Sequence, residues 1–171
     1  MEGGDLRVVD NVMTIEDLDA IMLIENASFP APWTRTMFVN EIMNPNSVIL
    51  VFRWEAKIVG YRCHWTVTDE AHLMTIAVHP AYRQRGLGKF MMEHLEAQCL
   101  KGGLRRIVLE VATKNEPAKR LYRRCGFRTI GFRKNYYGIL GGDAFIMEKA
   151  LENPQRNTAH PLQENGIDFD K

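Results

Sequence analysis

The chain has little cysteine, and the cysteine it has forms no pattern. Cys63, Cys99 and Cys125 are the only three in 171 residues, and no two are spaced C-x-x-C. That argues against a disulfide framework and against structural zinc, and it fits a reducing compartment. The five histidines are scattered. His72 and His79 flank a strand-like run at a spacing that suits no metal site, so no metal is expected. No apolar run approaches the roughly 18 residues of a membrane span, and Met1-Glu2-Gly3-Gly4-Asp5 lacks the basic and then apolar opening of a secretory leader. The expectation is a cytoplasmic protein with no membrane partner. Neither sign of charge is in excess. Lys and Arg number 22 and Asp and Glu 21, a formal net charge of +1, so bulk attraction to nucleic acid is not implied. There is no internal repeat.

The length predicts one domain, residues 1–151, with a sizeable core. A tail of Pro, Asn, Gln and acidic residues, 152–171, has almost no apolar periodicity and reads as disordered. Charge is uneven along the domain. Residues 1–27 are mainly acidic, whereas residues 101–134 carry eleven basic side chains against Glu110 and Glu116. A basic half suits a polyphosphate ligand, although a solvated helix face accounts for most of these charges individually.

Periodicity and punctuation give the elements. Leu6–Val9 reads as a strand. A cap at Thr14 precedes helical spacing at Leu18, Ile21, Met22 and Ile24. Phe29-Pro30-Ala31-Pro32-Trp33 is an irregular loop, because two prolines forbid a helix. Thr34 caps a second helix. Val48–Phe52 and Ile58–Val67 form a hairpin, with Ala71–Val78 as a third strand. A helix from Leu87 stops at Gly102-Gly103. The strand Ile107–Val111, a helix opened by Glu116-Pro117, and a closing strand pair, Arg128–Phe132 and Ala144–Met147, complete the order β-α-α-β-β-β-α-β-α-β-β. This is an α/β protein with a mixed, mostly antiparallel sheet and helices on both faces.

The chemistry starts at Ile76-Ala77-Val78-His79-Pro80-Ala81-Tyr82-Arg83-Gln84-Arg85-Gly86-Leu87-Gly88-Lys89. Strand, glycine turn and helix N-terminus make an anion cradle, since the first N–H groups of a helix lack partners and its dipole favours negative charge there. Gly86 and Gly88 admit a pyrophosphate close to the backbone. Arg83, Arg85 and Lys89 add charge. The loop lacks the Walker pattern, and Met91 stands where a dinucleotide fingerprint needs its third glycine. A plain capped helix start with solvated charges is the competing reading.

Glu110 is a lone carboxylate within the apolar run Ile-Val-Leu-Glu-Val. Such residues are rare unless paired or working. Burial would make it a better base, and a salt bridge to Arg105 or Lys114 is the alternative. The Tyr122 phenol, on the following helix, could donate a proton or merely fill the core. Asn115 suits a helix cap. Cys125 has no nearby histidine to activate it as a nucleophile.

Arg83-x-x-Gly86-x-Gly88, followed by Leu109-Glu110-Val111, Asn115-x-x-Ala118-x-x-Leu121-Tyr122 and Gly126-Phe127, resembles the signature segments of the GCN5-related N-acetyltransferases, the GNAT family. Glu25-x-x-Ser28-Phe29-x-x-Pro32-Trp33-Thr34 with Phe38 and Glu41, and Arg133-Lys134-Asn135-Tyr136-Tyr137 with Asp143-Ala144, resemble the RimI-type branch, whose members acetylate the α-amine of protein N-termini, in bacteria the N-terminal alanine of a small-subunit ribosomal protein. The likeness runs from about residue 6 to 151. It implies the acyl-CoA N-acyltransferase fold, acetyl-CoA as co-substrate and a ribosomal protein as partner. It implies Glu110 as general base and Tyr122 as general acid. It also implies acetyl-CoA contacts from Ile76, Ala77 and Val78 (through a bulge that frees an N–H), from Gln84, Arg85, Gly86, Leu87, Gly88 and Lys89, and from Asn115. Phe29, Trp33, Tyr136 and Tyr137 would line a peptide groove, with packing under loops as the alternative. Gly142 replaces an acidic residue of that pattern, which would shift substrate preference. An α-amine, with a pKa of about 7.7–8.0 against about 10.4 for lysine, is the easier nucleophile at neutral pH. The competing functions are acetylation of a lysine side chain or small amine, and a non-catalytic acetyl-CoA-binding module.

Overall fold

Caps and prolines set the helix boundaries. Thr34 accepts from the Met37 N–H at 3.3 Å and opens α2, Arg35–Met43. Asn115 accepts from the Ala118 N–H at 3.2 Å and opens α4, Glu116–Arg124, with proline in its first turn. Thr14 and Asp17 cap each other's backbone ahead of α1, Leu18–Asn26. The fourth helix, α3, runs from Leu87 to Lys101. The strands are β1 Val8–Val12, β2 Ser47–Trp54, β3 Lys57–Val67, β4 Glu70–Val78, β5 Arg106–Ala112, β6 Arg128–Arg133 and β7 Ala144–Ala150. The structure, a computed structural model, describes residues 8–138 and 142–152. Leu6, Arg7 and the tail from residue 153 lie outside them.

The seven strands form one sheet in the order β1-β2-β3-β4-β5-β7-β6. Every neighbouring pair is antiparallel except β4 and β5, which α3 connects in parallel as such a crossover requires. That single parallel pair is also incomplete. It runs only from Glu70↔Arg106 to Leu73↔Leu109. Immediately afterwards β4 has an extra residue against β3, because Cys63 faces Thr75 while His64 faces Leu73. The bulge therefore sits at Met74, ahead of Ile76–Val78 where the family likeness put it. An extra residue inverts the alternation of side chains. Ala71 and Leu73 pack with α3 and α4, and after the bulge it is Ile76 that joins that side while Met74 and Ala77 join the other.

Each face is sealed by two helices. Leu18, Ile21, Ile24 and Phe38 from α1 and α2 pack on Ile49, Val51, Tyr61 and Cys63. Met92, Leu95, Cys99 and Tyr122 from α3 and α4 pack on Leu109, Val111 and Met147. Under α3 lies a buried cation that the sequence reading passed over. Arg62 is fully buried in β3 and donates to His64 Nδ1 at 3.0 Å, His94 Nδ1 at 3.1 Å and Gln98 Oε1 at 2.7 Å. A guanidinium only donates, so both imidazoles must accept and stay neutral. Burial, and then the Arg62 charge, push His64 down to about 3.

Candidate active site

The end of the β4–β5 pairing opens the sheet. Beyond Leu73, the backbone of Thr75–Val78 pairs with β3 alone, and Glu110–Ala112 pairs with β7 alone. The two strands part there, leaving a cleft walled by main chain. Leu109 and Val111 point into the core under α3 and α4, so alternation turns Glu110 to the opposite face.

Glu110 holds the centre of that face. Its side chain is 8% exposed, and its two oxygens stand 3.5 Å from Arg133 Nη2 and 3.6 Å from His72 Nε2. The expected alternative partners are elsewhere, since Arg105 pairs with Asp69 at 3.3 Å and no ion pair of Lys114 occurs among the described residues. Tyr137 donates to the Glu110 carbonyl at 3.3 Å, and its ring meets Tyr136 edge-on at 4.9 Å. The Arg133 guanidinium lies 5.3 Å over the Tyr136 ring. Burial, followed by Tyr136 and Glu110, pushes the Tyr137 phenol up to about 12. Tyr122 approaches from the α4 side, packed on Phe127 at 5.9 Å. Burial raises its phenol well above the usual range, and the neighbouring Tyr137 adds to the effect. It therefore stays protonated at any working pH. The structure thus brings Glu110, Tyr136 and Tyr137 together, while Tyr122 lies in the core on the α4 side, with Tyr137 as its link to them.

The glycine loop divides differently from the sequence reading. Gly86 has φ +85°, and a Cβ there would meet nothing within 4 Å, so this glycine serves the left-handed backbone and leaves open space in front of α3. No side chain among the described residues caps α3 and no acid lies in its first turn, which leaves the N–H groups of Leu87, Gly88 and Lys89 for an anion. At Gly88 a Cβ would stand 3.1 Å from Leu121, so this glycine lets α3 approach α4. Arg83 is committed elsewhere. It donates to the Val78 carbonyl at 3.0 Å and to Ser28 Oγ at 2.8 Å, clamping the glycine loop to the end of α1. Arg85 lies over Tyr82, and Lys89 pairs with Glu93 at 3.3 Å. Among the described residues no cluster of side chains could hold a metal, and no helix is long and apolar enough to cross a membrane.

The acetyltransferase (GNAT) family profile matches residues 18–127 of this architecture. The chain belongs to that family. A Bacillus subtilis relative is 39% identical over 136 residues, covering 79% of this chain and 90% of its own length. The Escherichia coli ribosomal protein bS18-alanine N-acetyltransferase is 36% identical, over 77% of this chain and 89% of that protein. The crystal structure of the Escherichia coli ribosomal-protein-alanine N-acetyltransferase superposes with a TM-score of 0.77 at 31% identity, covering 85% of this chain and 94% of that one. GNAT acetyltransferases use acetyl-CoA. The open α3 N-terminus and the parted strands of this chain fit a pyrophosphate on a long, polar, extended arm.

Phe29 and Trp33 lie on the α1–α2 connection, half-buried against the core of that face, with Trp33 on Phe38 at 5.3 Å. What fixes this loop is Glu25, to which the sequence reading gave no role. Its carboxylate is buried and accepts from the Trp33 N–H at 2.7 Å and from the Tyr61 hydroxyl. Burial raises Glu25 to about 7. The unfolded chain releases this proton near 4.5 and the folded protein near 7, so the native state binds more protons across that window and stability falls as pH rises through it. Glu25→Gln keeps an acceptor for Trp33 and removes the titration. In paired denaturant melts at pH 4.5 and 8 the variant gains on the wild type by up to about 3 kcal/mol on going to high pH, from about 1.4 kcal/mol per unit. The difference between the two proteins is the readout, since the neutral His64 imposes a pH dependence of opposite sign on both. Parallel curves would show that Glu25 titrates normally.

Gly142, where the family likeness has an acid, adopts φ +75°. Its carbonyl accepts from the Tyr137 N–H at 3.0 Å, and its N–H donates to the Gly138 carbonyl at 3.1 Å. A side chain would be strained in this turn, so the substitution belongs to the way this loop carries Tyr137.

Proposed function

We propose that this chain transfers the acetyl group of acetyl-CoA to the α-amine of a protein N-terminus, its substrate being the N-terminal alanine of a small-subunit ribosomal protein in the cytoplasm. The observation that carries this reading is Glu110, a carboxylate nearly out of solvent at the mouth of the β4–β5 cleft, with Tyr122 approaching from the α4 side. The activity named for the Escherichia coli relative supports the choice of substrate.

Acetyl-CoA supplies an activated thioester. The free N–H groups of Leu87, Gly88 and Lys89, with the turn Gln84–Gly86, hold its pyrophosphate. The unpaired backbone edge of Ile76, Ala77 and Val78 holds the pantetheine arm and aims an N–H at the thioester carbonyl. The Asn115 amide nitrogen has no partner among the described residues and can reach the cofactor while its oxygen caps α4. Glu110 takes the proton of the attacking amine and Tyr122 gives one to the departing sulfur. Phe29 and Trp33 on one side and Tyr136 and Tyr137 on the other flank the peptide.

The test offers the protein two matched peptides with acetyl-CoA and follows thiol release and product mass. One begins with a free alanine; the other has a blocked N-terminus and an internal lysine. Acetylation of the first alone is expected. Acetylation of the second alone would overturn the substrate assignment and leave the fold and cofactor standing.

A further inference from the structure

His72 Nε2 is buried, has no hydrogen-bond partner among the described residues, and stands 3.6 Å from Glu110 Oε2. Its place follows from register. His72 faces Val108 across the parallel pair, so Glu110, two residues on, is its diagonal neighbour on the same face of the sheet. The separation is too long for a hydrogen bond. A buried, unpartnered polar atom is costly and calls for an explanation. A second observation supplies one. The ring as a whole is not sealed, because its side chain is 33% exposed while Glu110 is 8% exposed. Arg133, on the other Glu110 oxygen, has no lone pair and cannot take a proton.

We propose that His72 is the outlet for the proton that Glu110 removes from the amine. The proposal rests on the acetyl-transfer reading above. The amine N–H bond breaks and a Glu110 O–H bond forms. That bond then breaks as His72 Nε2 takes the proton, the resulting imidazolium releases its Nδ1 proton to solvent, and exchange of the neutral ring with solvent (Nδ1 regaining a proton, Nε2 losing one) restores the tautomer whose Nε2 can accept again. With the ring proton on Nδ1, the unpartnered Nε2 offers a lone pair, and protonated Glu110 is the donor it lacks. The long apo distance closes when substrate is bound, as catalytic contacts commonly do. His72 touches no reacting atom. It acts through Glu110, as a positioning residue that returns the carboxylate to its working form.

The test uses the full chain, acetyl-CoA and the alanine peptide, with three variants. His72→Phe keeps the ring and loses both nitrogens. His72→Ala leaves space for added imidazole. His72→Phe in a Glu110→Gln background asks whether the two residues act as a unit. In His72→Phe, kcat falls by about tenfold or more, within the range for assisted proton transfer, while KM for peptide and for acetyl-CoA stays within about twofold. Imidazole recovers part of the loss in His72→Ala, and His72→Phe costs nothing further once Glu110 is Gln. A purely structural histidine would move KM and melting temperature and would not respond to imidazole. Wild-type kcat in His72→Phe, or an equal loss in the Glu110→Gln background, overturns the proposal. Failure of the wild-type chain to acetylate the peptide is a different result, and strikes the parent reading instead.

Discussion

Glu110→Gln lowers kcat for acetylation of an alanine-headed peptide by about 10²–10⁴, the usual worth of a general base, and leaves KM for acetyl-CoA near its wild-type value. The amide has the shape of the carboxylate and its oxygen still accepts a hydrogen bond, so neither the strand nor the cleft beside it is disturbed. What it lacks is the ability to take a proton. The stability cost is small, because the Arg133 partner is half-exposed and 3.5 Å away, and such ion pairs contribute on the order of 1 kcal/mol or less. The loss should shrink as pH rises past the amine's own pKa of about 7.7–8.0, because a neutral amine needs less help. A kcat–pH series on both proteins checks this. If the defect appears in KM for the peptide with kcat unchanged, Glu110 binds an ammonium group and is not the base.

Much of this arrangement could be read from the chain, and the reasons differ between elements. The order of strands and helices came from punctuation that the structure obeys. Thr34 and Asn115 do cap, Pro117 does sit in a first turn, and Gly102 does end α3. Glu110 was legible because a carboxylate in an apolar strand violates the pattern around it. The same argument applies with equal force to Arg62, in the run Val-Gly-Tyr-Arg-Cys, and would have found the guanidinium beneath α3. Glu25 was visible only as part of a motif. Its task, holding the Trp33 backbone, depends on a loop that two prolines leave without regular structure.

Other features depend on register, which sequence does not carry. Nothing local says that His72 faces Val108, or that Arg133, twenty-three residues beyond Glu110, returns to it across the edge of the sheet. The bulge is another such case. Its position at Met74 coincides with the end of β4's pairing with β5, a relation between strands over thirty residues apart. Arg83 shows a task that charge alone does not announce. Charge beside a glycine turn suggests a phosphate ligand, yet the side chain is used to join the glycine loop to α1. Gly88 likewise reads as room for a ligand and is, in the fold, room for Leu121.

Tyr122→Phe is expected to reduce kcat by about 10², at the lower end of what a general acid contributes, with KM for acetyl-CoA unchanged and melting temperature within a few degrees of the wild type. The size of the effect follows from the leaving group. A thiol with a pKa like that of cysteine, about 8.5, departs as a tolerable anion, so protonation helps without being indispensable. The small change in stability follows from packing. The ring is buried against Phe127 and phenylalanine keeps that contact, while the lost hydroxyl has no hydrogen-bond partner among the described residues to leave unpaired. Burial keeps the phenol protonated, so Tyr122 can serve as an acid and not as a base. The two substitutions should therefore differ in kind as well as in size. Raising pH assists Glu110→Gln by neutralising the amine, and does nothing for Tyr122→Phe beyond what it does for the wild type. A rise in KM for acetyl-CoA with kcat preserved would mean that the hydroxyl binds the cofactor and gives no proton to its sulfur.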